Sequence, residues 1–180
     1  GITVTRALDL QTQTWSVVDP VARDGGSAVM YRLGKIMKSG SWSRNTDLPS
    51  VPTSPTTFVI DMNEPAPRWR QTASMAFPRA HHVLTMLPDG NVLVTGGQEM
   101  SDGITVSEAV LEAEIWSPET ETWTTVGKMQ TPRLYHGNAL LLPDGRVLVA
   151  GGALSRPGSV ADHTTVCDFD PEERQAFLIK

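Results

Sequence analysis

The sequence predicts an all-β chain of short antiparallel strands joined by tight turns, and three observations carry that prediction. The 180 residues include 15 glycines, 13 prolines and five tryptophans against only two tyrosines, a composition suited to many short strands punctuated by turns. No window sustains a helical spacing of apolar residues; the nearest, Ser107 to Ile115, reads better as a strand feeding Trp116-Ser117-Pro118. The third observation is that the chain repeats itself.

Met75-Ala76-Phe77-Pro78-Arg79-Ala80-His81-His82 aligns with Met129-Gln130-Thr131-Pro132-Arg133-Leu134-Tyr135-His136 at an offset of 54. In that alignment His136 answers to His82, and Tyr135 replaces His81. The match resumes one residue out of step at Pro88-Asp89-Gly90 against Pro143-Asp144-Gly145, and ends at Thr95-Gly96-Gly97 against Ala150-Gly151-Gly152. The slip reads as one residue inserted at a turn. Trp15, Trp69 and Trp123 keep the spacing of 54, so a degenerate third copy runs from Trp15 through Ser27-Ala28-Val29-Met30-Tyr31 to Ser39-Gly40. A period of about 50 with a Gly-Gly pair and a spaced tryptophan is the kelch type of β-propeller repeat.

Each repeat reads as four antiparallel strands. The first is apolar (Val83 to Leu87; Ala139 to Leu142) and turns at Pro-Asp-Gly. The second is β-branched (Val92 to Thr95; Val147 to Ala150) and ends in Gly-Gly, where backbones approach closely or φ is positive. The third is Ala113-Glu114-Ile115-Trp116, and the fourth carries Thr122-Trp123-Thr124, whose indole is placed to pack between blades. Ser39 to Thr57, rich in Ser, Pro and Thr, reads as a long surface loop between second and third strands. Cys167-Asp168-Phe169-Asp170-Pro171-Glu172-Glu173 reads as a degenerate third strand and turn. The division expected over 1–180 is a half blade at 1–18 and blades at 19–72, 73–126 and 127–180. That makes about three and a half four-stranded blades of a propeller of about seven, so the chain is expected to be a segment of a longer protein.

A formal net charge of −5 without a basic block argues against nucleic acid or an anionic membrane as partner. Apolar runs such as Ala139 to Leu142 are too short to span a bilayer. The chain opens at Gly1 without an initiator Met or a signal segment, as expected of a processed or excised chain. A single cysteine, Cys167, excludes an internal disulfide.

Tyr135-His136 is the candidate site. An imidazole suits Cu(II), and a phenolate can complete an N,O donor set. Adjacent residues of a regular strand point to opposite faces, so joint ligation requires irregular backbone at Tyr135; the junction after Pro132 offers it. A histidine at the position of His82 and His136 can instead serve the fold by hydrogen-bonding the blade connection. His81 faces the mouth of the channel beside Tyr135, as a substrate-pocket residue or a solvated loop histidine. Arg79 and Arg133 recur identically and read as anchors of the connecting loop.

Four stretches, Gly25 to Tyr31 with Gly34-Lys35-Ile36, Pro78 to Gly97, Glu112 to Glu119 and Pro132 to Gly152, resemble the galactose oxidase and glyoxal oxidase type of copper radical oxidase, especially its bacterial members. The resemblance covers roughly residues 19–152. It implies copper as cofactor, with Tyr135 as axial ligand and catalytic proton acceptor, and His136 as equatorial ligand. It also implies a second tyrosine, linked through its ring to a cysteine sulfur, that stores the second oxidising equivalent, and a second histidine. None of those three matches a position here, so the Tyr-Cys cofactor is expected outside this chain and the copper site within it is expected to be incomplete. Tyr31 with Cys167 is a conceivable substitute pair, although Cys167 reads rather as a buried small hydrophobe.

The function implied is that of a secreted or cell-surface oxidase converting a primary alcohol, aldehyde or carbohydrate with O2 into H2O2. The chain alone is expected to be inactive. The alternatives are a non-catalytic kelch module binding a protein or glycan through its loops, and a structural propeller that has lost its metal.

Overall fold

The computed structural model describes residues 4–21, 26–41, 52–100, 108–152 and 177–179, and the elements it describes are strands. They are β1 (Thr5–Asp9), β2 (Thr14–Asp19), β3 (Ser27–Arg32), β4 (Lys35–Ser41), β5 (Ser54–Asp61), β6 (Arg70–Gln71), β7 (Val83–Met86), β8 (Val92–Thr95), β9 (Glu112–Ser117), β10 (Thr122–Lys128), β11 (Gly137–Leu141), β12 (Val147–Gly151) and β13 (Phe177–Ile179). Strands next to one another in sequence pair antiparallel, giving separate sheets β1-β2, β3-β4-β5-β6, β7-β8-β9-β10 and β11-β12-β13. These are blades of a partial propeller. β7 lies against both β3 and β11, so the first strands of these three sheets stand side by side.

Turn chemistry closes the strands as the residue types require. Asp89 Oδ1 accepts the Asn91 N–H at 3.0 Å, and Asp144 Oδ1 accepts the Arg146 N–H at 3.1 Å. Gly90 and Gly145 sit at φ 85° and 83°, where a side chain is strained. The β1-β2 turn repeats the β9-β10 turn: Thr12 and Thr14 hydroxyls meet at 2.8 Å, as do those of Thr120 and Thr122.

β8 shows why its first three positions, Val92 to Val94, are all apolar. Val92 packs with Tyr31, Met37, Val59 and Trp116 on one face. Leu93 packs with Ala113, Met129, Ala139, Val147 and Val149 on the other. Strand side chains alternate in direction, so a sheet buried between two neighbours needs apolar residues at both parities. The expected indole packing is seen too: Trp123 joins the first of these clusters and donates from Nε1 to Thr57 Oγ1 at 3.0 Å across the blade boundary. Trp69 does the same to Thr5 Oγ1 at 2.7 Å.

Two expectations change. The stretch Ser39 to Thr57 is not all loop: Ser39 pairs with Thr57 and Ser41 with Ser54, so both ends belong to β4 and β5. Ser39 and Thr57 are buried, and hydroxyls suit that interface because each meets a ring nitrogen of the next blade. The proposed strand at Cys167 to Glu173 lies outside the described residues; the third place in its sheet is held by β13, which pairs with β12.

His82 is one of those ring partners. It is buried, and Nε2 lies 3.0 Å from Ser39 Oγ while its carbonyl accepts the Ser27 hydroxyl. Burial pushes the imidazole down from 6.5 to about 3, with the nearby Arg79 charge acting in the same direction. The unfolded chain therefore binds the extra proton between pH 6.5 and about 3, and the folded chain does not. His82 stabilises the fold fully above pH 6.5, and that contribution falls by up to about 1.4 kcal/mol per pH unit on acidification through this window. Urea midpoints measured from pH 7.5 to 5 are expected to fall more steeply for the native chain than for His82→Gln; equal slopes would remove the assignment.

Candidate metal centre

The connection from β10 into β11 is held by contacts to backbone carbonyls and amides that leave two side chains, those of Tyr135 and His136, outside. Arg133 Nη1 donates to the Gly151 carbonyl at 2.9 Å, and the Gly97 N–H donates to the Arg133 carbonyl at 2.8 Å. Leu134 is fully buried, and its carbonyl accepts the Gly137 N–H at 3.0 Å, closing a turn. The Gly-Gly pair explains itself here. A Cβ on Gly152 would stand 3.0 Å from the Leu134 nitrogen, and one on Gly151 3.0 Å from the His136 carbonyl oxygen. Tyr135 and His136 sit at the turn, both exposed.

His136 has φ 66°, a left-handed conformation unusual for a residue with a side chain. That reversal brings Tyr135 and His136 onto one side, ring centroids 3.8 Å apart and planes 34° from parallel. Irregular backbone is thus present, centred on His136 rather than Tyr135. His81 joins them edge-on, its centroid 4.9 Å from that of Tyr135 and the planes at 70°. The structure therefore brings together Tyr135, His136 and His81. Among the described residues no group of three or more His, Cys, Asp or Glu side chains gathers to hold a metal; this cluster is two imidazoles and a phenol.

The strand register corrects the repeat alignment. Val83 pairs with Thr95 as Asn138 pairs with Ala150, and Met86 pairs with Val92 as Leu141 pairs with Val147. The hairpins are therefore offset by 55 along their whole length, turn included. Arg79 and Arg133, offset by 54, both donate to the carbonyl of the first glycine of the Gly-Gly pair, at 3.0 Å and 2.9 Å. The inserted residue consequently lies between Arg133 and His136, and not in the Pro-Asp-Gly turn. Leu134 is buried as Ala80 is, so the addition is Tyr135. His136 is the counterpart of His81, which has φ 58°; Gly137 takes the place of His82. Tyr135 replaces nothing.

Tyr31 and Cys167 do not enlarge this site. Tyr31 is 8% exposed, packed edge-on against Trp116 at 5.0 Å. It stands four residues along β3 from Ser27, the residue bonded to His82, about 13 Å at strand rise. There it borders a groove of about 640 Å³ with Lys35, Asp61, Arg68 and Arg70, and burial pushes its phenol up from 10.0. Cys167 lies outside the described residues.

Arg79 is an anchor in the way expected, with a partner the sequence did not identify. Its Nη2 meets Glu114 Oε2 at 2.6 Å with both side chains fully buried, and Glu114 Oε1 accepts the Ala76 N–H at 2.7 Å.

The model of the glyoxal oxidase N-terminus matches residues 33–164. Galactose oxidase of Gibberella zeae is 34% identical over 134 residues, covering 72% of this chain and 19% of the relative. Alpha-scruin of Limulus polyphemus is 31% identical over 120 residues, covering 64% of this chain and 12% of that one. Among solved structures, a fungal alcohol oxidase in complex with copper superposes with a TM-score of 0.64 at 24% identity, covering 73% of this chain and 28% of that chain; the likeness is one of fold. The chain spans about a fifth or less of the length of these two relatives.

Proposed function

The chain belongs to the family of the glyoxal oxidase N-terminus, and on that premise we propose that it is part of a copper radical oxidase, secreted or at the cell surface. The proposed reaction takes two electrons and two protons from a primary alcohol or an aldehyde hydrate and passes them to O2, giving the carbonyl product and H2O2. The observation that supports this reading most is the exposed Tyr135-His136 pair, turned to one side by the left-handed backbone at His136.

The donor chemistry fits the metal. Imidazole and phenolate are the ligand types that hold Cu(II), and Tyr135 and His136 would hold it from this chain. When bound, copper supplies a one-electron acceptor; the second equivalent belongs to a Tyr-Cys cofactor expected in another part of the protein. Within this chain, the Tyr135 phenolate oxygen takes the proton of the substrate hydroxyl. His81, edge-on to Tyr135, borders the approach to that oxygen. The fully buried Arg79-Glu114 pair fixes the loop from which His81 projects.

Copper titration of the whole chain is the test. Tyr135→Phe and His136→Ala are each expected to weaken Cu(II) binding at least about tenfold, a change of about 1.4 kcal/mol. Unchanged affinity in both would favour the non-catalytic kelch module. The same copper-loaded polypeptide is expected to release no H2O2 from alcohols or aldehydes, and substrate-dependent peroxide would overturn that part of the reading.

A further inference from the structure

Resting on the reading of Tyr135-His136 as a copper half-site, we propose that His81 supplies a second imidazole to the same ion, so that this chain by itself offers two nitrogens and one oxygen.

The register carries the argument. His81 and His136 hold equivalent places on neighbouring blades, each two residues before an equivalent strand position, Val83 paired with Thr95 and Asn138 paired with Ala150. Both have the backbone that directs a side chain out of the strand, φ 58° and 66°. β7 and β11, which they precede, lie against each other. Two copies of one structural position thus present two imidazoles at one mouth. The inserted residue, Tyr135, is in ring contact with both, 4.9 Å from His81 and 3.8 Å from His136 by centroid.

The chemistry follows from the donor set. Imidazole has its highest first-row divalent affinity for Cu(II), with Zn(II) and Ni(II) below it. Tyr135 and His136 are exposed and His81 is half-buried, so a hydrated ion can reach the cluster without a large desolvation cost. The site would take Cu(II), the imidazoles binding as neutral rings and the phenol losing its proton to solvent. His82, the adjacent histidine, has no such role: it points into the blade interface toward Ser39.

Cu(II) added in equal amount to the full 180-residue chain, followed by electron paramagnetic resonance and by isothermal titration, tests the proposal. Hyperfine coupling from two imidazole nitrogens is expected in the native chain. His81→Asn, chosen because asparagine tolerates the left-handed backbone, is expected to leave the circular dichroism unchanged, reduce the coupling to one imidazole and weaken binding at least about tenfold. Coupling from a single imidazole in the native chain, or native affinity in His81→Asn, overturns the proposal while leaving the half-site intact. Copper binding insensitive to Tyr135→Phe and His136→Ala overturns the half-site and this proposal with it.

Discussion

Replacing Glu114 by alanine is expected to remove about 3–5 kcal/mol of stability, the cost of leaving a buried charge without its partner. The Arg79 guanidinium is fully buried, and Glu114 Oε2 at 2.6 Å is the carboxylate that meets it. The same substitution strands the Ala76 N–H, which donates to Glu114 Oε1 at 2.7 Å. Arg79 has further duties, since Nη1 donates to the carbonyls of Gly96 and Glu112 at 3.0 Å each. The double variant Arg79→Met with Glu114→Leu should therefore recover part of the loss, because no charge is left behind, but not all of it. Guanidinium unfolding of the two variants side by side checks this. A Glu114→Ala loss below about 1 kcal/mol would show that the pair contributes little.

Gly96→Ala is expected to cost about 2–5 kcal/mol and to disturb the metal half-site as well. Two effects combine at that position. With φ 68°, any side chain meets left-handed strain of about 1–2 kcal/mol. A Cβ would also stand 2.5 Å from the Arg133 carbonyl oxygen, which is backbone and has nowhere to rotate; such overpacking costs about 1–3 kcal/mol. Gly90→Ala separates the two effects. It has φ 85° and nothing within 4 Å of the added atom, so it should show the strain without the clash. Because Arg133 begins the loop that carries Tyr135, Gly96→Ala is expected to weaken Cu(II) binding where Gly90→Ala does not. Equal stability losses in the two variants would remove the steric part of the argument.

The fold was legible because its signals are local. Pro-Asp-Gly, Gly-Gly and the tryptophans spaced by 54 each answer a requirement met within a few residues, a turn, a close approach or a ring between sheets. The members of the site were legible and their register was not. Tyr135 and His136 stand out as residue types, and the repeat sets His81 beside Tyr135 although 54 residues separate them. The register error had a physical origin. Counting forward from Pro132-Arg133 carries the arginine anchors correctly and then crosses the insertion, so it assigns His136 to the buried place of His82. Counting back from Pro143-Asp144-Gly145 along the hairpin would have paired His136 with His81. Glu114 was hidden for a different reason. A lone acid between Ala113 and Ile115 gives no clue to its partner until Arg79, 35 residues earlier, is folded beside it.

The added residue at 135 has a consequence for how such a protein can change over generations. Both connections into β7 and β11 begin with the same arginine bonded to the same glycine carbonyl, and both reach a left-handed histidine. The frame around them is shared, and it tolerates either length. Chemistry can therefore arise at a blade mouth through a single codon inserted into a duplicated unit, leaving the core of both units as it was. A copy of the insertion placed after Ala80 would be the direct way to ask whether a second blade can be recruited.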